Sequence, residues 1–208
     1  MLAAPSRRGG TADTAHESDS DADETKGRTC RCRRTRGNLF LVYGRANRSF
    51  PLVCLVGPDA LCNVVTLAVI VGPSLAALVH ARGLHISLQV ALSFSFSLVL
   101  GSFMQTAYSD PGIVRKQSKA ELEAAGDGDA TFCDTCCVYQ DPGVRHCWDC
   151  GVCIRDFDHH CAWMGQCVGK NNQRSFNVFL ICVVPHFTLI FVAFSLARHF
   201  AEAQERTR

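Results

Sequence analysis

Three stretches of this chain carry no Lys, Arg, Asp or Glu at all. They run from about Ala60 to His80, from about Leu84 to Ala107 and from about Phe176 to Ala197. A hydrocarbon core roughly 30 Å thick is crossed by about 20 helical residues, so each stretch is long enough to span a bilayer. A buried helix of a soluble protein rarely stays uncharged over such a length, and three in succession predict transmembrane helices. The whole chain is 48% hydrophobic and only 19% charged, with the charges gathered between these stretches. That excludes a disordered chain and argues against a soluble helical domain or a secreted β-sandwich. The net charge of +2 gives no support to a nucleic-acid partner.

The second stretch contains the alternation Ser93-Phe94-Ser95-Phe96-Ser97. The stretch is too long for a typical strand of about 5–6 residues. As a helix it spreads these serines over several faces, where they can bond backbone carbonyls. The third stretch holds Pro185 and His186 near its middle. An ionisable residue at that depth faces a bundle interior or a cavity, and a neutral, packed imidazole is expected.

The N-terminal segment has no apolar signal-peptide core. An acidic stretch from Glu17 to Glu24 precedes a basic run of Arg28, Arg31, Arg33, Arg34 and Arg36. This composition predicts a solvated, disordered tail, with the basic run able to touch anionic lipid. Residues 1–51 hold ten Lys and Arg, residues 108–175 hold seven, and the short loop between the first two spans holds only Arg82. The positive-inside rule then puts the N-terminus and residues 108–175 in the cytosol. Three spans leave the C-terminus on the far side, where Arg198, Arg206 and Arg208 fit poorly.

Eight of the thirteen cysteines fall between Cys133 and Cys167, interleaved with His146, His159 and His160. Disulfides need an oxidising compartment, which the charge argument denies this segment. Cysteines two residues apart can instead turn onto one tetrahedral ion, so the spacing predicts zinc. The segment has no long apolar run, so metal supplies much of its folding free energy. Eight cysteines and three histidines make eleven possible ligands, and two closed sites consume eight. Counting does not say which three remain. A leftover Cys beside a leftover His is a candidate nucleophile and base, and Asp158-His159-His160-Cys161 offers that pair with a carboxylate next door.

The pattern C-x2-C-x9-HC-x2-C-x2-C-x4-DHHC-x5-C-x4-N-x3-F runs without a gap from Cys133 through Asn172 to Phe176. It resembles the signature of the DHHC-type protein S-acyltransferases (palmitoyltransferases). Asp110-Pro111-Gly112 looks like that family's DPG motif. Gly57-Pro58-Asp59, with Tyr43, Gly44 and Asn47 before it, is similar to plant-type members. The resemblance covers roughly residues 40–197. It implies Cys161 as the nucleophile that takes the acyl chain, His159 as its base and Asp158 as the residue that orients the imidazole. It implies one structural zinc held by Cys133, Cys136, His146 and Cys153, and a second held by Cys147, Cys150, His160 and Cys167. Cys137 is then left without a role. The implied co-substrate is a long-chain acyl-CoA such as palmitoyl-CoA. The implied partners are the lipid bilayer and proteins bearing membrane-proximal cysteines, with no nucleic acid.

The expected fold is an all-α transmembrane bundle of three spans carrying a cytosolic, loop-rich, zinc-binding cysteine-rich domain. Its parts are a cytosolic tail (1–37), a juxtamembrane segment with two spans (38–107), the cysteine-rich domain (108–175), a third span (176–197) and a tail (198–208). The expected setting is a multi-pass protein of the Golgi, endoplasmic reticulum or plasma membrane. The sequence departs from the family pattern at Ala162, where Pro is usual, at Met164-Gly165-Gln166, where Asn is common, and at Gly143, where Arg often stands. A fourth span and a TTxE motif are absent. A weakly active or inactive zinc-bearing membrane scaffold is therefore the alternative, with a RING-like adaptor behind it. Cys30 and Cys32 are candidate acylation targets, and Cys54, Cys62 and Cys182 are expected to pack. Asn172 is expected to hold the reactive loop against the membrane by hydrogen bonds. Lys170 and Arg174 are candidates for contact with the phosphates of CoA.

Overall fold

A computed structural model describes residues 37–45, 48–115 and 131–207 of the chain. The acidic stretch, the basic run, Cys30, Cys32 and Asn47 lie outside the described residues. The uncharged stretches fold as helices α1 (Ala60–His80), α2 (Ile86–Tyr108) and α3 (Gln173–Arg206). All three are long and apolar enough to cross a membrane. A short 3-10 turn over Ala81–Gly83 returns the chain from α1 to α2. The helix α3 does not stop where its apolar run ends. It continues through Arg198, which pairs with Glu202 one turn on at 3.9 Å, a spacing that supports a solvated helix. Pro73 and Pro185 sit inside α1 and α3 without ending them, which packed apolar helices tolerate. Leu61, Val90, Phe94, Ile181 and Phe191 are exposed on the helices, so the outer surface of the bundle is apolar.

The serines of α2 do turn onto carbonyls: Ser93 donates to Gln89 O at 2.8 Å and Ser97 to Ser93 O at 2.8 Å. Ser95 faces the bundle and meets His186 Nδ1 at 2.9 Å, while His186 Nε2 lies 2.9 Å from Ser74 Oγ of α1. The Ser74 hydroxyl donates to Ile70 O, so it accepts from Nε2–H. Ser95 Oγ likewise lies 3.1 Å from Leu92 O, so each serine bridges a carbonyl of its own helix and one imidazole nitrogen. His186 is fully buried and joins all three helices in one polar knot, as the packed reading anticipates.

Among the described residues the remainder is four antiparallel hairpins. The first pairs β1 (Phe40–Gly44) with β2 (Val53–Val56). The other three use strands of three residues each: β3 (Thr131–Cys133) with β4 (Val138–Gln140), β5 (Arg145–Cys147) with β6 (Val152–Ile154), and β7 (His159–Cys161) with β8 (Gln166–Val168). Leu39, Val53 and Leu55 of the first hairpin pack with Ile113, Val152 and Ile154. That shared core fixes the cysteine-rich hairpins to the segment entering α1. A second core, of Ile70, Val99, Phe103, Met164 and Phe179, lies where the helices meet the β7–β8 hairpin.

Candidate active site and metal centres

The hairpins explain the cysteine spacing. Cys133 and Cys136 bracket the β3–β4 turn, and Cys147 and Cys150 bracket the β5–β6 turn. In register, His146 stands opposite Cys153 across β5–β6, and His160 stands opposite Cys167 across β7–β8. Each CxxC turn therefore meets a His-Cys cross-strand pair contributed by the next hairpin. The structure gathers two groups of four: Cys133, Cys136, His146 and Cys153, then Cys147, Cys150, His160 and Cys167. Within each group all ligand atoms lie within 4.8 Å of one another. These are the two quartets that the family resemblance implies.

The geometry fits zinc. A tetrahedral ion with Zn–S near 2.3 Å and Zn–N near 2.0 Å sets each N···S edge at about 3.6 Å. In the first group His146 Nδ1 lies 3.6, 3.2 and 3.7 Å from the sulfurs of Cys133, Cys136 and Cys153. In the second, His160 Nδ1 lies 3.5, 3.4 and 3.6 Å from those of Cys147, Cys150 and Cys167. Both histidines would ligate through Nδ1. In the first group the Cys136 thiol is held up and Cys153 is lowered to about 5 by the hydrogen bond between them, so a thiolate is already favoured there. Four protein ligands fill each site and leave no open position for water, which marks the sites as structural.

The two sites differ in their surroundings. Nε2 of His160 lies 2.7 Å from Asp59 Oδ2, the carboxylate–histidine arrangement that orients a metal ligand. Asp59 is the N-cap residue of α1, yet its side chain caps nothing; its carboxylate goes to His160 instead. The N-terminal end of a helix favours a negative charge at that spot. Nε2 of His146 is buried with no hydrogen-bond partner among the described residues, its ring set edge-on to Trp148 at 4.6 Å.

In a strand, successive side chains point to opposite faces. Along β7 this sends His160 to the metal group and puts His159 and Cys161 together on the other face. Cys161 belongs to neither quartet. It packs against the second core, at the end of the helical bundle. His159 lies edge-on to Phe176 of α3, with ring centroids 5.2 Å apart. Its Nδ1 is 3.2 Å from Asp158 Oδ2. The same oxygen accepts from Gln173 Nε2 at 3.1 Å. The hydrogen bonds from Gln173 and then His159 hold the Asp158 carboxyl below the usual carboxylate range. With Nδ1 donating to Asp158, Nε2 of His159 is the atom left to exchange a proton.

Three buried amides position this loop. Asn172 Nδ2 donates to Thr106 O and Cys167 O, each at 3.0 Å, while its Oδ1 accepts from Gly169 N at 2.9 Å. Asn172 thus ties β8 to the end of α2, by hydrogen bonds of the kind expected of it. Asn63 Nδ2 of α1 donates to Met164 O at 3.0 Å, and its Oδ1 accepts from Tyr108 at 2.7 Å. Gln166 is completely buried, and its Nε2 reaches the carbonyls of Thr106, Ala107 and Ser109 at 3.0, 2.9 and 2.8 Å. The last carbonyls of a helix have no partner inside it; Gln166 supplies one for α2. The departure from the family pattern at 166 is therefore filled by a residue with a defined structural task. Gln166→Ala strands the carbonyls of Ala107 and Ser109 and is expected to cost about 2–4 kcal/mol, read as a lowered melting temperature of the purified chain in detergent.

Asp59, Asn63, Gln166 and Gln173 are not legible as site residues from the sequence alone. Asp59 lies 101 residues from its partner His160. The signal that bears on it is the Gly57-Pro58-Asp59 motif. A Cβ at Gly57 would overlap the carbonyl of Gly165, so the glycine permits the close backbone approach that brings Asp59 to the metal group.

Residues 127–207 match the family model described as DHHC palmitoyltransferase. The chain is similar to the mouse (Mus musculus) protein named palmitoyltransferase ZDHHC18, with 29% identity over 163 residues, covering 61% of this chain and 42% of the relative. It is similar to Arabidopsis thaliana protein S-acyltransferase 8, with 30% identity over 190 residues, covering 70% of this chain and 44% of the relative. Arabidopsis thaliana probable protein S-acyltransferase 5 is 27% identical over 183 residues, covering 70% and 36%. The chain spans less than half the length of these relatives.

Proposed function

We propose, for a chain that belongs to the DHHC-type family, that it is a protein S-acyltransferase. It moves a long-chain acyl group, typically palmitoyl, from acyl-CoA to cysteine thiols of proteins through an acyl-enzyme on Cys161. The observation that carries this reading is the alternation along β7. It separates a metal-ligating His160 from an unligated His159 and Cys161, with Asp158 on His159 Nδ1 and Cys161 against the apolar end of the bundle.

In the first step His159 Nε2 takes the Cys161 proton, and the sulfur attacks the thioester carbonyl of acyl-CoA. The carbon–sulfur bond to CoA breaks, and the CoA thiolate leaves with the proton that His159 returns. In the second step His159 deprotonates a substrate cysteine, whose sulfur attacks the acyl-Cys161 thioester. Cys161 departs as the leaving thiolate and recovers its proton from His159. An ordinary thiol has a pKa of about 8.5, so this general base raises the nucleophile available near neutral pH. Asp158 fixes the tautomer and stabilises the imidazolium between transfers. Zinc, when bound, supplies folding energy and rigidity to the loop and takes no part in bond making. The protein residues do the rest: the two quartets hold β7 in place, and Asn63, Gln166 and Asn172 moor it to the helices.

A sixteen-carbon chain gains about 0.8 kcal/mol for each CH₂ buried, which favours holding it in the apolar bundle below Cys161. The distribution of Lys and Arg supports a cytosolic cysteine-rich domain on a multi-pass protein of an internal or plasma membrane, bounded as the sequence predicts at residues 108–175. Its protein substrates present cysteines near that surface.

The test is acyl-enzyme formation by the detergent-purified chain with a clickable palmitoyl-CoA. The label is expected to be hydroxylamine-sensitive and absent from Cys161→Ser. A zinc-replete, folded protein that takes no label would sink the enzymatic reading and favour the scaffold.

A further inference from the structure

The β1–β2 hairpin carries large apolar side chains that no helix buries. Phe40 and Val42 of β1 are 65% and 64% exposed, and Leu52, just before β2, is 65% exposed. We infer that the outer face of this hairpin is seated in the interfacial layer of the bilayer, as a lipid contact outside the three spans. The inference rests on the proposed membrane setting and not on acyl transfer.

The level of the hairpin follows from the two ends of β2. Ahead of the strand, the Phe50 amide donates to Ser109 Oγ at 2.9 Å and the Asp110 amide to Arg48 O at 3.3 Å. The Phe50 ring lies 6.0 Å from that of Tyr108, the last residue of α2. Behind the strand, only Gly57, Pro58 and Asp59 separate Val56 from Ala60, the first residue of α1. The strand therefore runs from the end of one apolar helix to the start of another, across one end of the bundle. That is the level at which spanning helices leave the hydrocarbon.

Parity then assigns the two faces. Val53 and Leu55 are completely buried, in a core shared with Cys147, Cys150 and Cys167 of the metal-binding hairpins. Successive side chains of a strand point to opposite faces, so Cys54 and Val56 point away from that core. Cys54 lies near enough to Tyr108 of α2 to interact with it electrostatically, which puts this second face on the side of the helices. Residues directly opposite across a ladder share a face. Phe40 stands opposite Val56 and Tyr43 opposite Cys54, while Val42 is the extra residue where the register shifts. Leu41, opposite Leu55, packs instead against the buried core.

Cys54 and Val56 are half-buried, whereas Phe40 and Tyr43 on the same face are exposed. The inner strand thus rests against the bundle, and the outer strand overhangs its rim. An apolar face that overhangs the rim of a spanning bundle at this level is continuous with the lipid-facing surface of the helices. A contiguous exposed apolar patch marks an interaction site, and here lipid is the partner in place. Tyr43 suits the position, because an aromatic ring with a polar tip is favoured where hydrocarbon meets water. Since the opposite face of the hairpin holds the core around the second metal group, its seat in lipid sets the height of that group over the bilayer.

The experiment replaces Phe40, Val42 or Leu52, one at a time, by p-benzoylphenylalanine in the full chain. The chain is held in phosphatidylcholine nanodiscs, with two zinc per chain as the check on folding. Illumination inserts the benzophenone into a neighbouring C–H bond, and mass spectrometry identifies the captured molecule. The same replacement at Phe94, exposed on α2, is the control inside the hydrocarbon. At Phe132 of β3 it is the control away from the bilayer, since the core under that hairpin contains no helix residue.

Lipid adducts are expected at positions 40, 42 and 52 in yields close to that at 94, with position 132 at background. Lipid captured at 94 but at none of the three hairpin positions overturns the inference and leaves the spans standing. Capture of a second copy of the chain, or of its own residues 1–36, in place of lipid overturns it as well. A chain that captures no lipid at 94 fails the membrane-spanning reading and this inference with it. A chain that captures lipid at the hairpin yet takes no acyl label fails the acyltransferase reading alone.

Discussion

Replacing Cys150 by Ala is expected to unfold the cysteine-rich hairpins and release zinc from the second site. Cys150 and Cys167 are completely buried, and the six strands around the two sites are only three residues long. A two-stranded hairpin is marginal on its own in water, and these share a thin apolar core. A structural zinc in a small domain contributes roughly 10–16 kcal/mol of apparent binding energy at neutral pH, against a typical total stability of about 5–15 kcal/mol. Removing a ligand therefore removes more than the segment has to spare. Metal analysis should fall from two zinc per chain to one or fewer. Limited proteolysis should cut between residues 131 and 168 while the helices persist. Two zinc retained together with protease resistance would contradict the structural role assigned to this site. Asp59→Asn is a graded version: it keeps the shape beside His160 and weakens the carboxylate–imidazole bond of 2.7 Å. Loss of such an outer partner typically costs 10–100-fold in metal affinity, which a competing chelator would read.

His159→Ala is expected to lower the rate of acyl-enzyme formation by about 10²–10⁴-fold while leaving the metal content unchanged. The contrast with His160 is the point of the measurement. The two residues are adjacent, yet His160→Ala should lose zinc and fold, and His159→Ala should lose only rate. Asp158→Asn should fall on the His159 side of that division, because its carboxylate contacts His159 and Gln173 and no metal ligand. If His159→Ala instead released zinc, the division of labour along β7 would be wrong.

The helices were legible because charge is so costly in hydrocarbon that its absence over 20 or so residues has few other causes. The metal quartets were legible in kind, since x2 spacing is a local consequence of two thiolates turning onto one ion. Their membership was not: eleven candidate ligands are consistent with several partitions, and only the family resemblance distinguished them. The long-range partners were illegible for a plain physical reason. Asp59 and His160, or Gln166 and the end of α2, meet only after the bundle and hairpins have folded onto each other. Nothing in the local sequence of an amide or carboxylate says which carbonyl or imidazole it will find. The Met164-Gly165-Gln166 departure was legible as a departure, but the structural task of Gln166 was not. The buried amide of Gln166 caps the end of α2, a partnership that a family pattern does not display. The helix past Ala197 was also missed, because polarity marks where a membrane span ends and does not mark where a helix ends.

On the proposed reading, one strand of three residues carries both the chemistry and its support, which makes the reactive motif a matter of parity. Odd positions of β7 face one way and the even position the other, so function depends on residue count as much as on residue identity. A single residue inserted between Asp158 and His159 would exchange the roles wholesale. It would present an imidazole where the reaction needs a thiol and bury the thiol among metal ligands. A substitution degrades such a site by degrees, but a frame slip of one residue inverts it. The ladder that sets His160 opposite Cys167 is the register that such a slip would break.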